Sequence, residues 1–156
     1  MNIAINVLNI DRKNIYFYDP VENKVMIDSE FVQCGYSNEL FTLSGIYINT
    51  NFVVTRVDRY FKKHKYMLDI NANNTIIDNL IKIEKMILEN LDRPELTKIY
   101  KLKEQLVGST LLVFEGNVAA TNSNQLGEHE FILKISGVWI TENSCGITFK
   151  FFHVND

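Results

Sequence analysis

The sequence contains few of the residues that build disulfide frameworks and metal centres. Its 156 residues include two cysteines, Cys34 and Cys145, which lie far apart and in no CxxC spacing. Such a pair predicts free thiols in a reducing compartment. Of the three histidines, only His129 stands between two acidic residues. Because adjacent residues of a strand point to opposite faces, this triplet cannot easily ligate one ion, and we expect no metal site.

Catalytic motifs and membrane-spanning runs are also missing from the sequence. Ser44 and Ser136 each precede a glycine without forming a Gly-x-Ser-x-Gly elbow, and the glycines form no phosphate-binding loop. No apolar run approaches the roughly 18–20 residues that span a bilayer. Residues 1–14 lack the pattern of a secretory signal. We therefore expect a soluble, intracellular, non-enzymatic protein with no cofactor and no membrane partner.

The composition and the periodicity predict one β-rich domain over residues 1–156. Hydrophobic residues make up 46% of the chain, which is enough to bury a core. Apolar residues recur at helical spacing over residues 75–91, with Thr75 as a candidate N-cap, and Pro94 suits the first turn of a second helix over residues 95–106. Gly45 marks a bulge or bend. The predicted strands are residues 3–10, 14–19, 24–28, 40–48, 52–61, 110–121, 131–141 and 147–154.

This order of strands, helices and strands predicts an α+β fold. A small, mostly antiparallel β-barrel with an inserted helical unit fits it best, because the OB barrel carries a helix between its third and fourth strands. A β-sandwich is the alternative. Polar turns are expected at residues 49–51 and 142–146, and a loop at residues 122–128.

The stretch RYFKKHKY, residues 59–66, concentrates cations and aromatic rings in a chain whose formal net charge is −3. Single-stranded nucleic acid is bound by such a composition, since cations contact phosphates and rings stack on bases. Binding depends on the local patch and not on the net charge. On a strand that starts at Phe52, alternation directs Val53, Thr55 and Val57 to the core. The residues that alternation directs outward are Arg56, Tyr60, Lys62, His64 and Tyr66.

The same stretch has a second interpretation. A hairpin with its tip at residues 62–65 would pair Tyr60 with Tyr66 across the strands, and its cations would only keep an edge soluble.

The C-terminal strands carry a resemblance to a known family. The runs KISGVW (residues 134–139) and GITFKF (residues 146–151), with Glu142 in the turn, resemble the C-terminal strands of single-stranded-DNA-binding proteins of large DNA viruses. These are OB-fold proteins that look like the T7-type phage protein. The resemblance implies DNA binding in viral replication or recombination, in the host cytoplasm or nucleus. It implies viral replication proteins or further copies of the chain as partners.

Alternation within this hairpin separates two kinds of residue. Lys134 and Lys150 are candidates for phosphate contact, whereas Trp139 with Phe149 or Phe151 is expected in the core. The sequence thus predicts nonspecific binding of single-stranded nucleic acid. A virion or occlusion component that binds protein through exposed strands is the alternative. The predicted nucleic-acid-binding residues are Arg56, Arg59, Tyr60, Lys62, Lys63, Lys65, Tyr66, Lys134 and Lys150.

Overall fold

The computed structural model describes residues 4–118 and 126–154. Within them it has two helices, α1 (Asn74–Asn90) and α2 (Lys101–Val107). Short 3-10 turns cover Val7–Asn9, Arg12–Asn14 and Glu115–Asn117. The described strands are β1 (Ile5–Asn6), β2 (Ile15–Phe17), β3 (Val21–Glu22), β4 (Glu30–Ser37), β5 (Thr42–Ser44), β6 (Ile46–Tyr60), β7 (Lys63–Leu68), β8 (Thr97–Lys98), β9 (Thr110–Phe114), β10 (Gly127–Ile140) and β11 (Ser144–His153).

One mostly antiparallel sheet joins these strands, in the order β2-β4-β10-β6-β7-β9, with β11 also paired to β10. Only the short pairings of β1 with β6 and of β8 with β11 are parallel among the described strands. The expected β-rich α+β class is therefore confirmed. β9 and β11 come close together but form no ladder in the described part of the chain, so the sheet is not closed by hydrogen bonds.

A bulge at Ser136 divides β10 into two halves of opposite phase. The register against β11 shifts between Ile135 and Gly137. Before the shift Ile135 faces the core, and after it Val138 and Ile140 do. Trp139 consequently faces away from the core. Its predicted core position is wrong, because the prediction assumed that side chains alternate without interruption along β10, whereas the bulge reverses the alternation. Gly137 is required here, since a Cβ would collide with the backbone of β4 at Val32.

Helix α1 lies where it was predicted, but the residue that fixes its N-terminus is not the predicted one. Five buried apolar residues form its inner face: Ile77, Leu80, Ile83, Ile87 and Leu88. The residue before the helix is Asn73, not Thr75, and its side chain does not cap the helix. It hydrogen-bonds instead to the backbone N–H and C=O of Val53 on β6, at 2.8 and 2.9 Å. Asn73 therefore fixes the start of α1 to the sheet.

The second helix is shorter than predicted. Thr97 donates its backbone N–H to Asn143 and Ile99 donates to Cys145, both at 2.8 Å, so residues 97–98 form β8 beside β11. Pro94 lies in a turn before this strand and does not start a helix. Strand pairing overrides the helical spacing here. The helix begins only at Lys101.

Several strand predictions are also wrong. Residues 24–28 form a turn, and β4 was not predicted at all. β6 runs through residues 49–51 without a break, because Thr50 points inward and donates its hydroxyl to the carbonyl of Phe131 at 2.8 Å. β1 covers only part of residues 3–10, and β9 ends at Phe114.

Residues 119–125, which include part of the predicted loop 122–128, lie outside the described residues, and Gly127 already belongs to β10. Gly45 has a φ of +106° between β5 and β6, as the predicted bend requires.

Both cysteines are free and buried. Burial raises the pKa of the Cys34 thiol to about 12, and it raises the pKa of Cys145 as well. These thiols behave as small core residues. Among the described helices, none is long and apolar enough to cross a membrane.

The buried carboxylate of Glu84 links the two helices. Its oxygens accept hydrogen bonds from the backbone amides of Leu102 at 3.0 Å and Lys103 at 2.9 Å. These are amides of the first turn of α2, which have no partner inside the helix. Burial raises the pKa of Glu84, and the two amides act in the opposite direction. The sequence shows only a glutamate next to the apolar stripe, so this link was not predicted.

We expect Glu84→Ala to lower the free energy of unfolding by about 3 kcal/mol, because it leaves two amides without an acceptor. Glu84→Gln retains one carbonyl oxygen and should cost less. Urea unfolding measures both. The control is Glu89→Ala on the same helix, whose exposed carboxylate lies 4.0 Å from the Lys85 ammonium and is worth less than about 0.5 kcal/mol. Equal losses for Glu84→Ala and Glu89→Ala would contradict this role.

Candidate nucleic-acid interface

The basic stretch at residues 59–66 forms the end of the β6–β7 hairpin. The turn residues are Phe61 and Lys62, so the tip lies earlier than residues 62–65. Across the strands Tyr60 pairs with Lys63 and Asp58 with Lys65. The predicted pairing of Tyr60 with Tyr66 is therefore wrong. The side chain of Tyr60 lies outside the described part of the structure.

Tyr66 and His64 point inward, opposite to the prediction. A bulge between Val54 and Arg56 changes the phase of β6, and β7 directs His64, Tyr66 and Leu68 into the core. Tyr66 is 0% exposed. Its ring cannot stack on a base in this fold, so its assignment as a binding residue is wrong. The predicted inward position of Thr55 is also wrong, since Thr55 is exposed and Phe52 and Val54 are buried instead.

The rings of all three histidines lie close to that of Tyr66. The Tyr66 ring is stacked on His153 with 5.7 Å between centroids and meets Phe131 edge-on at 5.0 Å. His129 Nδ1 and His153 Nε2 lie 2.8 Å apart and share a hydrogen bond. The His64 ring lies 6.3 Å from that of Tyr66. Within the described residues no group of histidines, cysteines and carboxylates is arranged to hold a metal ion.

The remaining cations of the hairpin differ in what they contact. Arg56 forms an ion pair with Asp58 at 2.8 Å. Lys62 is exposed at the tip, and Arg59 is exposed near it. Lys63 lies over the ring of Phe114 on β9, with its ammonium 5.4 Å from the ring centre. Lys63 thus belongs to the outer face of the sheet.

That outer face continues across β6, β10 and β11. Lys134 is in register with Tyr47 on one side and with Lys150 on the other. The Lys134 ammonium lies 5.6 Å from the Tyr47 ring centre, and the Lys150 ammonium lies 5.6 Å from that of Phe152. A cavity of about 290 Å³ lies between Tyr47, Lys134 and Phe152, with Ala4 and Ile132 completing its lining. The two predicted lysines therefore each have an aromatic partner.

A second, smaller cavity joins this region to the hairpin. It measures about 170 Å³ and lies where β9 approaches β11, between Lys63, Phe114 and Lys150. Together the three pairs form one surface, which we name the lysine–aromatic face; its residues are Tyr47, Lys63, Phe114, Lys134, Lys150 and Phe152. Among the described residues no carboxylate lies within 4.0 Å of any of these three ammonium groups.

Sequence reasoning missed Tyr47, Phe114 and Phe152. Phe152 carries the signal of strand alternation, because it lies two residues from Lys150. Tyr47 and Phe114 become neighbours of lysines only through the register of β6 with β10 and of β7 with β9. That register is set by the fold and is not visible along the chain.

Comparisons with protein-family models, with curated proteins and with solved structures find no significant match to this chain.

Tyr66→Phe should test the buried cluster. Burial raises the pKa of Tyr66 to about 12, and its hydroxyl has no hydrogen-bond partner in the described part of the chain. Removing the hydroxyl should therefore raise the free energy of unfolding at pH 7 by about 1 kcal/mol. The unfolded tyrosine ionises near pH 10, so the wild-type protein should lose about a further 2 kcal/mol relative to Tyr66→Phe between pH 10 and 12.

Urea unfolding of both proteins across this pH range supplies the measurement. The other tyrosines and the lysines titrate in both proteins and cancel in the difference. Parallel pH profiles would show that Tyr66 ionises as easily in the folded protein as in the unfolded one, and would contradict its burial.

Proposed function

We propose that this protein binds single-stranded nucleic acid, without sequence preference and without catalysis, through the lysine–aromatic face. The observation that supports this most directly is the contiguity of three lysine–aromatic pairs, whose ammonium groups have no carboxylate within 4.0 Å among the residues that the structure describes. An anionic polymer with flat rings complements such a surface. The acidic total charge is not an obstacle, because a local basic patch sets the potential that the polymer meets.

The chemistry of each pair suits a nucleotide. A base stacks on an aromatic ring with a gain of roughly 1–3 kcal/mol, and every base offers a ring face, so this contact is tolerant of sequence. The lysine that lies over the ring supplies the charge for the adjacent phosphate. Tyr47, Lys134 and Lys150 stand on three adjacent strands, so bases and phosphates would be contacted along a row that crosses the sheet.

The wider assignment also belongs to this proposal. The approach of β9 to β11 supports an OB-like barrel that is curled but not closed by hydrogen bonds. The resemblance of the C-terminal hairpin supports a place among the single-stranded-DNA-binding proteins of large DNA viruses. Such a protein would act in replication or recombination in the host cytoplasm or nucleus, beside viral replication proteins.

A second candidate function is a protein-binding component of a virion or occlusion body. The observation that favours it is the apolar turn after β3, where Val25 is 96% exposed and Ile27 is 89% exposed. Exposed apolar clusters of this kind mark protein contacts. They do not explain the lysine–aromatic face, which is why we rank nucleic-acid binding first.

Polarisation titration with labelled poly-dT over a range of salt concentrations tests the proposal. The double variant Lys134→Ala with Lys150→Ala should flatten the log–log salt dependence by roughly 0.7 per charge removed. Tyr47→Ala should lower the affinity by roughly 1–3 kcal/mol and leave the salt dependence unchanged, because stacking carries no ionic contribution. The matched control is Lys82→Ala with Lys85→Ala on the exposed side of α1, which removes the same charge.

Two outcomes would redirect the assignment. If Lys62→Ala with Lys65→Ala flattens the salt dependence and the Lys134 and Lys150 double variant does not, the hairpin edge is the binding site. If the wild-type protein does not bind poly-dT even at low salt, nucleic-acid binding is wrong and the protein-binding function takes its place.

A further inference from the structure

A seam runs through the curled sheet where β9 (Thr110–Phe114) faces β11 (Ser144–His153). The two strands come close together, yet among the described strands β9 forms a ladder only with β7, and β11 only with β10 and β8. A side chain of α2 covers part of the edge of β9 instead, because the backbone N–H of Leu112 donates to Gln105 Oε1 at 3.1 Å. In the described part of the chain, no backbone ladder therefore joins the two sides of this seam.

The cavity of about 170 Å³ lies on the seam and is lined from both of its sides. Lys63 comes from β7, which is paired to β9, and Lys150 comes from β11. Helix α2 adds a side-chain amide to this lining. The described lining residues are Lys63, Gln105, Leu112, Phe114, Phe149 and Lys150.

The lining combines two cations with aromatic rings. Two ammonium groups that line one cavity repel each other, and an anion between them removes this repulsion. Phe114 is 53% exposed, and the ammonium of Lys63 lies 5.4 Å from its ring centre. A ring that is half exposed beside a cation can stack on a base while the cation contacts the adjacent phosphate. The cavity thus offers the contacts that one nucleotide requires.

We propose that this cavity binds one nucleotide of the single strand, with its phosphate between Lys63 and Lys150 and its base on Phe114, and that the nucleotide joins β9 to β11 across the seam. This inference rests on the proposed function and deepens it, since it assigns a phosphate position and a change in the protein on binding. The ligand contacts both sides of a seam that no described ladder spans. Binding should therefore make the sheet more rigid along this line.

Gln105→Glu tests the phosphate position. The glutamate keeps an oxygen for the N–H of Leu112 and adds a negative charge to the cavity. Poly-dT binding, measured by polarisation at low salt, should weaken by about tenfold or more, because the carboxylate and the phosphate repel each other. The free variant should be at least as stable in urea as the wild type, since its new charge faces two cations. The control is Asn71→Asp, which adds the same charge on an exposed turn before α1 and should leave the affinity unchanged.

A double-mutant cycle tests whether one ligand group contacts lysines from both sides of the seam. If Lys63 and Lys150 hold the same phosphate, the loss of affinity in Lys63→Ala with Lys150→Ala should differ from the product of the two single losses by about threefold or more. The control cycle combines Lys63→Ala with Lys134→Ala. Lys134 lines the other cavity of the lysine–aromatic face, so these two losses should simply multiply.

Hydrogen exchange measures the joining of the seam itself. Poly-dT should slow amide exchange of the wild-type protein in β9 and in residues 147–153 of β11, which have β10 as their only ladder partner among the described strands. Exchange in β5 (Thr42–Ser44) should stay unchanged. At the same poly-dT concentration, Gln105→Glu should show much less slowing in β9 and β11.

The outcomes separate this inference from the proposed function. If the wild-type protein binds poly-dT, the seam inference alone is overturned when Gln105→Glu binds equally well, when the cycle of Lys63 and Lys150 shows no coupling, or when exchange in β9 and β11 does not slow. A wild-type protein that does not bind poly-dT even at low salt overturns both.

Discussion

β10 is the strand on which the rest of the structure depends. Its first half pairs with β6, its second half pairs with β4, and β11 runs along its other side. Loss of this strand would separate the hairpin of β6 and β7, together with β1, from β4 and the strands β2, β3 and β5 that pair with it. The bulge at Ser136 lets β10 place residues on two surfaces, since Lys134 faces outward before it and Trp139 faces outward after it.

The register of the strands decides which aromatic residues lie in the core and which lie on the outer face. Tyr66 and Phe131 are buried beside the histidine pair, whereas Tyr47 and Phe152 lie beside lysines on the outside. A lysine over a ring gains only modestly from that contact when it is exposed to water. Such pairs are therefore weak contributors to stability, and they stay adaptable enough to rearrange around a ligand.

The sequence allowed the fold class and the position of α1 to be predicted, because an amphipathic helix of 17 residues imposes its period directly on the chain. It did not allow the faces of Trp139 and Tyr66 to be predicted. A bulge adds one residue to one strand and reverses every later side chain, and nothing at Ser136 or Thr55 distinguishes such a residue from its neighbours. Lys134 and Lys150 were found because they are cations within two strands that the alternation predicted, while the role of Tyr47 depended on a pairing with a distant strand. Glu84 was overlooked because its partners are backbone amides, which carry no sequence signal.

The placement of Trp139 has a practical consequence. It is the sole tryptophan of the chain, and it lies over Gly146 at the wall of an apolar groove that β3 and the turn after β3 also line. The fluorescence emission of the protein therefore reports on the surroundings of this one residue. A blue shift signals that something has displaced water from the groove, and an unchanged spectrum during nucleic-acid addition shows that the surroundings of Trp139 have not changed, without any label on the protein.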